Sequence, residues 1–407
     1  MRNTQIKKCR SCQSKQLINI ISLGNLYLSD FTENKKKPPK SPLSLILCKN
    51  CHLLQLRNTV LSSLLYTENY GYKSGINQTM QNELKEIAEK SLKLIKKRKE
   101  KIIAVDIGAN DGTLLKYYPK NIYRIGVEPI TKFAKECKKY SDKVVNDLFI
   151  YESFQKKIGN IKGDIVTVIS CFYDMADPNK FVSEVKKILK DDGVFVIQQN
   201  YLVEMLKQNA FDNIVHEHLE YYSLLSLNNL LTRHGLEVFD VELRNLNGGS
   251  FRTYISLKGK RKKTKAVAKL EKYEKTLKLN NKKVYLDFAK RIADNKKNLF
   301  NFIKEKNKEG KIIYLYGAST RGNTLLQYFK LNSKLIPFAA ERNPEKWGKK
   351  IASVDIPIIS EEQARKNKPD YMLVLPWFFK EEFLKREKSY LEKGGHFIFP
   401  LPKLQTV

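Results

Sequence analysis

Apolar positions along the chain fall into five regimes. Short β-like runs at 17–23 and 43–47 stand in an otherwise polar stretch reaching to about Glu68. Over 71–98, Ile76, Met80, Leu84, Ile87, Leu92 and Ile95 recur at helical spacing and predict an amphipathic helix. Beyond Lys101 strands alternate with helices, the pattern of a parallel sheet; strands are expected at 102–107, 123–127, 143–145, 165–170, 194–198, 236–243 and 250–257. Only a turn at Asn247-Gly248-Gly249 separates the last two, so this sheet should end in an antiparallel pair. Over 258–310, Leu270, Leu277, Val284, Phe288, Ile292, Leu299 and Ile303 thread a run of Lys, Glu and Asn, predicting one or two long helices that serve as a brace. A second α/β unit starts at Lys311, with strands expected at 312–316, 335–339, 371–375 and 396–399.

At 407 residues the chain suits two or three domains, with boundaries expected at 1–70, 71–258, 259–309 and 310–407. The first segment is too small to hold itself together by apolar burial and needs a staple. No apolar stretch approaches the roughly 20 residues of a membrane span. The polar start, with two cysteines, is unlike a secretion signal, so the default expectation is cytoplasmic. The formal net charge of +32 invites a polyanion reading. Lysines are spread over every predicted helix, however, and aromatic residues do not interleave with them as stacking platforms would require. A solvated surface that tolerates anionic small molecules is the better reading, with an RNA-binding or RNA-modifying protein as the alternative. Nothing in the pattern indicates an oligomeric state.

Cys9, Cys12, Cys48 and Cys51 form two C-x-x-C pairs, a set able to enclose a tetrahedral zinc ion in a closed, structural site. Cys137 and Cys171 sit alone in periodic segments, as buried small hydrophobes do. The loop Val105-Asp106-Ile107-Gly108-Ala109-Asn110-Asp111-Gly112 follows a strand and opens a helix, letting the backbone approach a ligand, but it lacks the glycine order of a dinucleotide site. Glu128 ends the next strand, where a carboxylate can accept both ribose hydroxyls; Asn146-Asp147 ends the third and could meet an adenine amine. An adenosine carrying a sulfonium, S-adenosylmethionine, therefore fits better than NAD. Asp106, Gly108, Asn110, Asp111, Glu128, Asp147 and Cys171 make up the expected cofactor set.

The densest chemistry lies in Val215-His216-Glu217-His218. An acid/base pair is favoured over a metal site, because no further acidic ligand lies at helical spacing and Glu217 could fix an imidazole tautomer. Downstream, Gly317-Ala318-Ser319-Thr320-Arg321-Gly322-Asn323-Thr324 is one residue short of a phosphate-binding loop, with Asn323 where the lysine should stand. Its backbone amides could still receive a diphosphate.

Taken in this order, these motifs resemble the C-methyltransferases of nucleotide-linked deoxysugars over nearly the whole chain. The resemblance implies an α/β fold: a class I methyltransferase (Rossmann-like) sheet, a small N-terminal zinc-binding module and a second, C-terminal Rossmann-like domain. It further implies an NDP-4-keto-6-deoxyhexose substrate methylated beside the ketone, His218 with Glu217 and His216 in the proton-abstracting machinery, and Tyr72 as a pocket tyrosine. Val215 departs from the family pattern, which has a tyrosine immediately before H-E-H, and leaves O-methylation of a glycan sugar or its precursor as an alternative.

Overall fold

In the computed structural model, residues 3–33, 36–66 and 70–407 are described. The central sheet has seven strands in the order Leu236–Arg244, Ser250–Leu257, Leu189–Asn200, Gly163–Ile169, Ile103–Ile107, Tyr123–Val127, Lys143–Val145. Its first five members in chain order run parallel, and Ser250–Leu257 inserts antiparallel against Leu189–Asn200. Gly163–Ile169 is buried along nearly its whole length, as a run covered on both faces must be. The predicted amphipathic helix is Gln78–Lys93, opened by the Asn77 side chain accepting from the Met80 amide. Its Met80, Leu84, Ile87 and Ala88 pack with Ala104, Ile165, Val194 and Val196 of the sheet.

The second sheet has parallel strands His396–Phe399, Tyr371–Val374, Ile313–Tyr316, Ala339–Glu341 and Ile356–Ser360, again with the first in the middle. The strand expected at 335–339 is displaced to Ala339–Glu341. Leu331 and Ile336 are buried from a loop, and an apolar run does not distinguish that from a strand. Ile356–Ser360 escapes prediction because Pro357 interrupts it; that proline is exposed and faces the edge partner Lys350–Ile351.

The N-terminal segment forms an antiparallel sheet of Leu17–Tyr27, Lys40–Cys48 and Leu54–Leu56, completed by Glu220–Tyr221 from far along the chain. Its Phe31–Thr32 pairs in turn with Lys350–Ile351 of the second sheet. The brace is two helices, Lys265–Thr276 and Lys282–Lys308. Glu274 on the first, buried, accepts from the amides of Leu224 and Leu225 and from the Tyr201 hydroxyl at 2.6, 2.9 and 2.9 Å. No helix among the described residues is long and apolar enough to cross a membrane.

Candidate active site

Local sequence shapes the first loop. Ile103–Ile107 ends at Gly108, whose φ is +76° and where an added Cβ would lie 2.7 Å from Cys171 Sγ. A left-handed turn against a packed sulfur leaves room for glycine alone. The amides of Gly108 and Ala109 donate to the Val127 carbonyl at 2.9 and 3.0 Å. Glu128, at the tip of that neighbouring strand, accepts from the amides of Asn110 (2.9 Å) and Ile130 (2.8 Å). Burial raises the Glu128 pKa, against the lowering effect of these two amides. Beneath, Asp106 accepts the Thr167 hydroxyl at 2.6 Å, and burial pushes its pKa up to about 7.

The remaining members of the expected cofactor set take supporting places. Asn110 accepts from the Ser74 amide and donates to the Tyr72 carbonyl at 3.0 and 3.2 Å. Asp111 accepts from the Gly75 amide at 2.9 Å and from the Thr113 hydroxyl at 2.6 Å. These two side chains pin the Tyr72 segment against the loop. Asp147 accepts from the Leu148 amide and the Ser153 hydroxyl, both at 2.8 Å, tying the turn before the helix Tyr151–Ile158. Cys171 backs Gly108. A hollow of about 30 Å³ lies over Gly108, bounded by Asp106, Ala109, Ser170 and Tyr72. Tyr72, Met80 and Ser170 also border a larger cavity of about 300 Å³, so the two share a wall.

That larger cavity is lined by His218 and Glu217, the residues expected to move a proton. The loop bearing His218 is held on three sides: the Leu219 amide donates to the Tyr173 carbonyl, the Leu56 amide to the Leu219 carbonyl, and the Thr324 hydroxyl to the Ile214 carbonyl, at 2.9, 2.8 and 2.9 Å. His218 stands edge-on to the Tyr173 ring, centroids 4.3 Å apart, with Nδ1 2.9 Å from the Asn213 carbonyl. A carbonyl can only accept, so Nδ1 carries the proton and Nε2 keeps its lone pair. The tautomer is thus fixed by backbone, a role expected of Glu217. Burial first, then Arg321, lower the His218 pKa to about 3, and burial pushes that of Glu217 up to about 7. His218 and Glu217 both line the cavity, as does Tyr72, which is 42% exposed. His216 is the exception: buried, with Nε2 3.0 Å from the Ser41 carbonyl, it fastens the loop to the N-terminal sheet, a holding contact where a catalytic one was expected.

The second Rossmann-like domain forms the opposite wall and repeats the first loop's geometry. Gly317, at φ +84°, donates its amide to the Ala340 carbonyl at 2.8 Å, and the Ala318 amide donates to Glu341 at the neighbouring strand tip, also at 2.8 Å. Asn323, in the lysine position of a phosphate loop, is buried; it donates to Ser29 Oγ at 3.0 Å and accepts the Ser353 hydroxyl at 2.6 Å, stapling three parts of the chain together. Arg321, Arg342 and Arg386 border the cavity. Sequence reasoning did not single out Glu341, Asp174, Tyr66 or Tyr70 as site residues, since only the fold brings them beside His218 or the second loop.

The four cysteines fit a zinc ion. Their Sγ atoms lie within 4.8 Å of one another, with Cys9–Cys51 and Cys12–Cys48 both at 3.5 Å. Metal–sulfur bonds of about 2.3 Å would set tetrahedral sulfurs about 3.8 Å apart, close to that spacing. Each pair sits on a turn followed by a left-handed residue, Gln13 or His52, and Gln55 donates to Cys9 Sγ at 3.1 Å, an outer contact of the kind that orients a ligand.

A parallel sheet closed by an inserted antiparallel strand, with a glycine loop and an acidic second-strand tip, defines a class I S-adenosylmethionine-dependent methyltransferase. Family models match along the chain in sequence: a zinc binding domain over residues 9–66, a methyltransferase domain over 77–241 and a C-methyltransferase C-terminal domain over 245–402. Two of the three models are of methyltransferases, and the chain is an S-adenosylmethionine-dependent methyltransferase. C-methyltransferase NovU of Streptomyces niveus is 28% identical over 99% of this chain and 97% of its own length. Among solved structures, an S-adenosylmethionine-dependent methyltransferase of Clostridium acetobutylicum is 13% identical over 46% of this chain and 94% of that one, with a TM-score of 0.35. The plantazolicin methyltransferase BpumL, in complex with SAH, is 11% identical over 43% and 82%, also at 0.35.

One prediction concerns cofactor binding. Gly108→Ala should lower stability by roughly 1–2 kcal/mol through its left-handed backbone alone, and the Cβ clash should also abolish the thermal shift given by S-adenosylhomocysteine. Cys171→Ala in the same chain should relieve the clash without restoring full stability; differential scanning fluorimetry reads both.

Proposed function

We propose that this methyltransferase C-methylates a nucleotide-linked 4-keto-6-deoxyhexose at the carbon next to the ketone. The observation that carries the reading is the tautomer of His218: Nδ1 is bound to the Asn213 carbonyl, which leaves Nε2 unprotonated on a residue that lines the cavity beside the Gly108 hollow. Asp106, Glu128 and the Gly108 loop would hold the adenosine and methionine parts of S-adenosylmethionine. When bound, that cofactor supplies an electrophilic methyl group on sulfur. His218 takes the proton from the carbon beside the ketone, which the carbonyl acidifies. Binding both reactants in one cleft supplies much of the remaining rate.

The nucleotide part is supported by the far wall. Arg342 borders the cavity together with the start of the helix Thr320–Phe329, whose positive end favours a diphosphate, whereas Arg386 is held by Glu361 at 2.8 Å. The loop from Gly317 to Glu341 has the form of a nucleoside site in its own right.

The test is to incubate the enzyme with methyl-labelled S-adenosylmethionine and a panel of NDP-4-keto-6-deoxyhexoses, and to locate the methyl group by NMR. A new carbon–carbon bond adjacent to the ketone is expected. A methyl group on oxygen, or turnover only with sugars lacking the ketone, would overturn the reading.

A further inference from the structure

Removing a proton beside a ketone places negative charge on the ketone oxygen, and the charge must be met by a donor fixed in place before reaction. His218 is the acceptor of the proton and cannot also be that donor. Val215 lines the cavity but offers no hydrogen-bonding side chain, and Arg321 is engaged by Asp212 (Nε at 3.0 Å) and by the Asn247 carbonyl (2.6 Å).

Asp174 is placed differently. It closes the short turn Phe172–Asp174 beyond the strand Gly163–Ile169 and lines the cavity together with Tyr70, Glu217 and His218. Its Oδ2 accepts the Tyr66 hydroxyl at 2.8 Å, while its Oδ1 is buried and has no hydrogen-bond partner among the described residues. We propose that Asp174 is a catalytic residue: a neutral carboxylic acid whose Oδ1–H binds the enolate oxygen formed when His218 takes the adjacent proton.

The position of the proton follows from the contacts. Tyr66 donates into Oδ2, leaving that atom as the carbonyl oxygen of the acid, so the proton belongs on Oδ1, the atom without a partner. Burial, reinforced by Glu217 and opposed by the Tyr66 hydrogen bond, holds this carboxyl well above the usual carboxylate range. Its titratable neighbours are Glu217, Glu220, Cys171 and the hydroxyls of Tyr66, Tyr70, Tyr173 and Tyr221, and none of them carries a positive charge that would favour ionisation. A carboxyl kept neutral to donate and an imidazole kept neutral to accept form an acid/base pair separated by environment.

The chemistry balances without another reagent. The C–H bond beside the ketone breaks, its proton goes to His218 Nε2, and its electron pair forms the enolate double bond with charge on oxygen, where the Asp174 hydrogen bond stabilises it. The carbon then forms its bond to the methyl group, the methyl–sulfur pair stays on sulfur as a thioether, the ketone re-forms, and the imidazolium gives its proton to solvent.

This assignment rests on the substrate reading above, and the experiment separates the two. With S-adenosylhomocysteine in place of the methyl donor, wild-type enzyme in D₂O should exchange the hydrogen beside the ketone of an NDP-4-keto-6-deoxyhexose. Asp174→Ala should slow both this exchange and methyl transfer by about 10²–10³-fold with little change in KM, and Asp174→Asn, which keeps a donor, should recover much of the loss. Independently of substrate, the infrared difference between wild type and Asp174→Asn at neutral pH should contain the carbonyl stretch of a protonated acid, a readout that does not require the alanine variant to fold. Exchange at the wild-type rate in Asp174→Ala, or an ionised Asp174 in the infrared spectrum, overturns the assignment and leaves the substrate reading standing. A wild type that neither methylates nor exchanges any 4-keto sugar overturns the substrate reading and this assignment together.

Discussion

His218→Ala should lose between about 10²- and 10⁴-fold in kcat, the range spanned by positioned general bases, while its affinity for S-adenosylhomocysteine stays at the wild-type level. The split is expected because the imidazole borders the larger cavity, whereas the hollow over Gly108 is bounded by other residues. Stopped assays of methyl transfer and calorimetric titration of S-adenosylhomocysteine measure the two halves; retained turnover would remove His218 from the base role. The pH profile should carry a second mark of this environment. Burial lowers His218 to about 3, so its base form is present across the neutral range and it should contribute no limb there. Glu217, pushed up to about 7, changes charge in that range, and an acid limb near neutrality should flatten in Glu217→Gln. The sign for stability follows from linkage. The folded chain binds a proton on Glu217 between its ordinary 4.5 and about 7, where the unfolded chain releases it. The fold therefore loses stability as pH rises through that window, and Glu217→Gln removes the loss.

Zinc removal should be the most damaging change that touches no residue of the cleft. Structural zinc contributes about 10–16 kcal/mol to the folding of small zinc-finger peptides, and the segment around Cys9, Cys12, Cys48 and Cys51 has little core apart from what it shares with its neighbours. Its sheet is completed by Glu220–Tyr221, two residues beyond His218, and the Ser41 carbonyl within it holds His216. A strong chelator, or Cys48→Ser, is therefore expected to lower the melting temperature and to abolish methyl transfer together. Metal analysis should give one zinc per chain, and readdition of zinc should restore both properties. Full activity of a metal-free, folded enzyme would show that the cysteine cluster and the His218 loop are uncoupled.

Glu220–Tyr221 also marks the limit of what is legible in a one-dimensional pattern. A two-residue strand has no period, and its partner, Leu54–Leu56, is separated from it by most of the methyltransferase sheet. The same holds for Asp174: its sequence neighbourhood reads as a turn after a strand, and its Tyr66 partner lies 108 residues earlier. His216 shows the reverse case. Adjacent in sequence to the catalytic candidates, it is turned away from the cavity because the loop between Ile214 and Leu219 is bent, with the His218 amide donating to the Val215 carbonyl, so the two-residue alternation of a strand does not hold there.

By itself the sequence determined the order of strands in the methyltransferase sheet, the turn at Asn247-Gly248-Gly249, the paired cysteines and the glycine loop with Glu128, because each depends on residue types within a few positions of one another. Hydrophobic periodicity and glycine's freedom at positive φ act locally and leave a local trace. Tertiary structure alone decided which histidine meets the cavity, that Asn323 is a staple, and that Asp174, Glu217 and the second domain's arginines share one space. Those outcomes arise from carbonyls, hydroxyls and buried surfaces brought together across hundreds of residues, and contacts of that kind are settled only when the sheets, the brace and the N-terminal module close on each other.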